Sequence, residues 1–129
     1  MEFRQKKDTG DSKPTRYFSS RQEKDVAKAI GGRQTPNSGA TTYSKGDVTV
    51  GDKTGWLMEC KTCMKDQKTF TMHKEWFDKN LEESIYMKKD HSAVVFNFGP
   101  SSKNYYVLDE QTFLLMKEAL EKYEQEGLV

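Results

Sequence analysis

Two carboxylates and an amine stand out by type and spacing. Asp47 is followed by Glu59 and Lys61, two apart, within KGDVTVGDKTGWLMECKT, residues 45 to 62. Carboxylate oxygens are preferred ligands of Mg²⁺, which binds through one or two of them plus waters and phosphate oxygens. Such an ion polarises a phosphodiester and lowers the pKa of its bound water, while a neighbouring ammonium orients a nucleophile or offsets charge developing at phosphorus. The three side chains therefore suit metal-assisted phosphodiester hydrolysis. The plainer alternative is an ion pair across a hairpin, Asp47 with Lys61, worth about 0.2–1 kcal/mol.

The chemistry requires elements that bring the three groups together. Asp52 suits the first position of a type I turn and Gly55 the fourth, giving a three-residue loop. Counting back, Asp52 faces Trp56, Asp47 lies opposite Lys61 and Glu59 opposite Thr49, all on one face. Val48, Val50, Met58 and Cys60 take the other, buried face. Upstream, residues 1 to 16 are polar without apolar periodicity and read as a flexible basic arm. A short helix spans 20 to 30, capped by Ser20, striped by Val26, Ala27 and Ile30, and stopped by Gly31 and Gly32. GGRQTPNSGA follows as a loop. Downstream, a helix from about Thr71 to Lys89 carries Trp76, Phe77, Leu81 and Ile85 at helical spacing. HSAVVFNFG (91–99) is apolar enough for a central strand, GPSSKN is a turn, and YYVLD (105–109) is its hairpin partner. Asp109 caps a last helix striped by Phe113, Met116, Leu120 and Tyr123. The order α-β-β-α-β-β-α gives an α+β or α/β domain, a mixed sheet flanked by helices.

Composition bounds the function classes. A chain of 129 residues has the size of one domain, expected here over 17–129. No apolar run approaches the roughly 18 residues of a membrane span. The amino-terminal stretch lacks the apolar region of a secretory signal, so a reducing cytoplasm is expected. Net charge is +1, but residues 1–79 hold 16 Lys/Arg against 11 Asp/Glu, while 80–129 hold 5 against 9. An electropositive face toward a polyanion accounts for this asymmetry, as does a solvated surface whose charges segregate by accident.

Gly46-Asp47-Val48, with eleven residues between Asp47 and the following Glu59-Cys60-Lys61, resembles the bipartite motif of PD-(D/E)XK nucleases, with Gly46 where that family often has Pro. The first helix with Gln22-Glu23, the loop GGRQTPNSGA and the helix in KTFTMHKEWFDK extend the likeness to archaeal-type and phage Holliday junction resolvases over roughly residues 19 to 99. The resemblance implies a restriction-endonuclease-like core and a Mg²⁺-dependent site, with Mn²⁺ as a substitute. In it Asp47, Glu59 and the Cys60 backbone carbonyl hold the metal, Glu23 completes the site from the first helix, and Lys61 is the catalytic lysine. Glu23 also fits a capping box with Ser20. If phage-encoded, the protein works in the bacterial host cytoplasm.

DNA contacts are expected from side chains ringing the site: Arg33, Ser38, Lys45, Lys65, Lys68 and Lys74, directed to phosphates and hence reading shape more than base sequence. Lys74 sits in the first turn of its helix, where a cation opposes the dipole, so function explains it better than helix stability does. Each lysine taken singly also fits plain solvation. Cys60-Lys61-Thr62-Cys63 with His73 and His91 admits a zinc or redox reading, but there is no second CxxC and strand alternation puts Cys60 in the core. Tyr43, Tyr105 and Tyr106 are candidates to stack on bases or to pack in a hairpin. Paired cuts on a four-way junction need two sites about a dyad, so a homodimer is implied, through the last helix or the edge of the 91–109 hairpin. The alternatives are a nicking or single-strand nuclease on the same fold, or a DNA-binding relative without cleavage.

Overall fold

The computed structural model describes residues 15–35, 47–51 and 55–127. Eight elements follow in order: α1 (Thr15–Ile30), β1 (Arg33–Gln34), β2 (Val48–Val50), β3 (Trp56–Lys61), α2 (Lys74–Tyr86), β4 (His91–Phe96), β5 (Tyr105–Val107) and α3 (Glu110–Gln125). The strands form one sheet in sequence order, β1 to β5. Only β3 and β4 run parallel, the pair that α2 connects; every other neighbour is antiparallel. The expected mixed sheet with flanking helices is found, with one addition: Arg33 and Gln34, expected in a loop, pair with Thr49 and Val48.

Helix α1 begins five residues before the expected start. Phe18, Gln22 and Val26 recur at i, i+4 and i+8 and are its buried residues. Thr15 and Arg16 thus belong to the helix, and the rest of the expected arm, 1–14, lies outside the described residues. The helix closes as expected on two glycines: Gly31 takes a left-handed φ of 70° and the Gly32 N–H donates to the Ala27 carbonyl at 2.8 Å. The same closure ends α2, with Lys88 standing in for glycine at φ 58° and Lys89 N–H donating to Ser84 O. At α3, Asp109 accepts from Thr112 N–H at 2.8 Å, the cap read from the sequence.

Strand alternation sorts the core into two sides. Val48, Met58, Cys60, Ala93 and Val95 pack with Val26 of α1, as expected for all but Val50, which is only half-buried. Leu57 and Val94, both fully buried, belong to the α2 side. There the expected stripe is displaced: Leu81 and Ile85 are exposed, and α2 buries Asn80, Glu83 and Ser84 instead. The Asn80 amide explains the rotation, donating to the carbonyls of Leu57 at 3.2 Å and Ala93 at 3.1 Å and so tying α2 to both parallel strands. The α3 stripe is present but uncovered, since none of its residues is buried. Among the described residues no helix is long and apolar enough to cross a membrane.

Candidate active site

The hairpin register differs from the expected one by two residues. Val50 pairs with Trp56, Thr49 with Leu57 and Val48 with Met58. The connection therefore runs from Gly51 to Gly55, two residues longer than the expected loop; Asp52 within it lies outside the described residues. Gly51 leaves β2 at a left-handed φ of 73°, and Gly55 packs so tightly on the Val50 carbonyl that any Cβ there would collide with it. A slip of two keeps the faces unchanged. It moves Asp47 from opposite Lys61 to beside Glu59.

Asp47 sits just before β2, where the ladder becomes irregular. Its N–H donates to Met58 O at 3.0 Å, its carbonyl accepts from Thr35 N–H at 3.0 Å, and its carboxylate Oδ2 accepts from Cys60 N–H at 2.7 Å. The side chain thus replaces a missing ladder carbonyl and is held against the Glu59-Cys60-Lys61 backbone. Glu59 and Lys61, alternate residues of β3, share a face, and the Lys61 ammonium meets Glu59 Oε2 at 3.3 Å. Among the described residues, Lys61 pairs with Glu59 rather than with Asp47. Burial, and next the Asp47 charge, push the Glu59 carboxyl up to about 7 in spite of Lys61.

Glu23 reaches this cluster from α1. It lies in the helix interior rather than in a first turn, so the capping box with Ser20 does not form. Burial and the Asp47 charge raise its pKa, partly offset by a 3.4 Å hydrogen bond from Gln34 Nε2. Its neighbour Gln22 is buried, and Nε2 donates to the Lys61 carbonyl at 2.8 Å, fixing α1 to the end of the strand that carries the lysine. Glu23, Asp47 and Glu59 are thus electrostatically coupled, with oxygen donors of the hardness Mg²⁺ prefers. No three His, Cys, Asp or Glu side chains among the described residues are gathered into a ready cation cage. Asp47 is turned onto a backbone N–H and Glu59 onto Lys61, which separates like charges.

Helix α2 adds two residues that the sequence reading did not assign to the site, Trp76 having been counted only in the apolar stripe. Lys79 lies near enough to Glu59 to lower its pKa, and pairs at 3.9 Å with the nearly buried Glu83. Trp76 carries the Lys61 ammonium 4.7 Å from its ring centroid. The signal was available: Trp76, Lys79, Asn80 and Glu83 follow i, i+3, i+4, i+7, a stripe that a search for apolar residues passes over. Lys74 is exposed and bonds Asp78 at 2.9 Å one turn on.

Of the remaining expected DNA contacts, Arg33, Lys65 and Lys68 are exposed, while Ser38 and Lys45, like Tyr43 and Gly46, lie outside the described residues. Cys60 is buried and Cys63 partly so; both are free, and burial pushes both thiols up, away from the thiolate that zinc or redox chemistry needs. His73 stacks on Trp76 at 4.7 Å and His91 on Trp56 at 4.7 Å, so neither joins the cysteines. Comparison of the chain with protein-family models, with curated proteins and with solved structures returned no match.

Proposed function

We propose that the chain is a divalent-metal-dependent DNA endonuclease of the PD-(D/E)XK type that cuts branched DNA, the four-way junction first among its substrates. The observation that carries the reading is the register that sets Asp47 beside Glu59 and leaves Lys61 on the same strand face as Glu59. Burial beside another acid raises the Glu59 carboxyl to about 7, a cost of the kind that functional sites retain. Asp47, Glu59 and the Cys60 carbonyl, with Glu23 approaching from α1, would hold Mg²⁺ or Mn²⁺. Bound there, the ion supplies charge neutralisation at the phosphodiester and an acidified water. Lys61 orients that water or neutralises charge at phosphorus, and its fixed seat between Glu59 and Trp76 pre-organises it for either task. Glu59 must shed its proton to act as a ligand, which a neighbouring cation favours. In-line attack leaves a 5′ phosphate and a 3′ hydroxyl.

Paired cuts need a homodimer, and α3 supports one. Phe113, Leu114, Leu115, Met116, Leu120 and Tyr123 are 45–55% exposed, beside an apolar groove of about 280 Å³ lined by Ile30, Val50, Trp56, Tyr106 and Leu108. Phe113, Met116, Leu120 and Tyr123 fall on one stripe of α3, and an exposed apolar stripe of this kind marks an interaction surface. The substrate and the two free cysteines fit a reducing cytoplasm.

The test is cleavage of a four-way junction, its linear duplex arms and single strands, with Mg²⁺ and with chelator. Paired, metal-dependent cuts on the junction support the reading. Nicking of all substrates alike makes the chain a general nuclease; binding without product makes it a non-catalytic relative. Leu115→Glu with Leu120→Glu should yield a monomer by light scattering and turn paired cuts into single nicks.

A further inference from the structure

A row of side chains leads from the site to the edge of the sheet. Lys61 on β3 is in register with Phe96 on β4, and Phe96 with Tyr105 on the edge strand β5, so the three share one face. The Phe96 and Tyr105 rings stack with centroids 5.6 Å apart and planes 27° from parallel. Phe70 lies 4.8 Å from Phe96, and Phe98 closes on Tyr105 edge-on at 5.5 Å. At the inner end the Lys61 ammonium rests on Trp76; at the outer end the Lys103 ammonium stands 5.5 Å from the Tyr105 centroid. Burial does not explain the row, because Phe70, Trp76, Phe96 and Phe98 are only half-buried and Tyr105 is 39% exposed. Helix α2 packs on β3 and β4, and the aromatic row continues past it onto β5.

We propose that this row is a stacking shelf for an unpaired base of the DNA strand next to the scissile phosphate. Half-open aromatic faces bracketed by two cations match a nucleotide, base on the rings and phosphates toward Lys61 and Lys103. Within a continuous duplex both faces of each base are occupied by its neighbours, so the shelf selects DNA that exposes a base at the cut: a branch point, a flap or a single strand. The inference rests on the endonuclease reading for the identity of the polymer and deepens it by naming the feature recognised.

The experiment measures binding in chelator, where no cleavage occurs, by anisotropy of three labelled probes: oligothymidylate, an abasic strand of equal length, and a duplex. Stacking one base contributes about 1–3 kcal/mol, so oligothymidylate should bind about 5- to 150-fold tighter than the abasic strand, which has the same phosphates. Tyr105→Leu should abolish that ratio with little effect on abasic binding, and Tyr105→Trp should restore it and show quenching by oligothymidylate. Thermal melting of each variant reports folding, and Tyr105, being exposed on an edge strand, tolerates the change. Equal binding of thymidylate and abasic strands, or a ratio unchanged in Tyr105→Leu, overturns the shelf. Wild-type cleavage without base-dependent binding sinks the shelf alone; base-dependent binding without metal-dependent cleavage sinks the nuclease reading alone.

Discussion

The replacement Glu59→Gln separates a functional site from an ordinary ion pair through stability alone. In the folded chain the Glu59 carboxyl is raised from 4.5 to about 7, first by burial and then by Asp47. Between those two values the native protein holds a proton that the unfolded chain has released. Stability is therefore full below about pH 4.5, falls as pH rises toward 7, and stays reduced above it. The side chain is 15% exposed, so solvent screening is small. The linkage gives a loss of about 3 kcal/mol by pH 8, or roughly 10 °C in Tm for a chain of this size. Glutamine keeps the shape, removes the charge and forfeits the Lys61 pair, worth about 1 kcal/mol or less. In chelator the variant should match wild type near pH 5 and exceed it by about 2 kcal/mol at pH 8, measured by urea unfolding at both values. Adding Mg²⁺ at pH 8 should raise the wild-type Tm by mass action and leave the variant nearly unmoved. Parallel pH curves for the two proteins would show that Glu59 titrates normally, and a Mg²⁺ response equal in both would remove it from the metal site.

Three further changes probe the surrounding frame. Lys61→Met keeps an aliphatic chain against Trp76 and removes the amine; cleavage of the junction should fall by about 100-fold or more while binding in chelator changes less than about threefold, and parallel losses would refute the catalytic role. Gln22→Leu leaves the Lys61 carbonyl without its 2.8 Å donor and should cost about 1–2 kcal/mol by urea unfolding, with no change if that bond is immaterial. Lys88→Gly relieves the left-handed φ of 58° at the end of α2 and should stabilise by about 0.5–1 kcal/mol; a loss of stability would mean that the lysine side chain contributes more than the backbone strain costs.

What was legible in the sequence depended on whether local chemistry alone decides the structure. The glycine closure of α1, the Asp109 cap and the split of Met58 and Cys60 from Glu59 and Lys61 follow from residue type and period. The start of α1 was missed because its first buried contact, Phe18, lies ahead of the chosen cap, and capping signals yield to tertiary packing. The hairpin register was missed because the turn signal in DKTG competes with Gly51, which leaves β2 at a left-handed φ, and with Gly55, where backbone crowding admits no side chain. Strand parity survived the error because the slip was even.

The face of α2 is the deeper failure, and it bears on function. Apolar spacing pointed to Leu81 and Ile85, yet the helix buries Asn80, Glu83 and Ser84. Polar side chains on a buried helix face carry a desolvation cost unless they are paired; the Asn80 amide nitrogen is paired to two strand carbonyls, while among the described residues its Oδ1 meets no partner. That anchoring turns Trp76 and Lys79 toward the strand face that carries Glu59 and Lys61. A leucine at 80 would give a better amphipathic helix by pattern and would leave the Leu57 and Ala93 carbonyls without the amide. The polar stripe thus trades packing for position: it orients the helix by hydrogen bonds to the strand that bears the acid and the lysine, which is where a site of fixed geometry most needs its support.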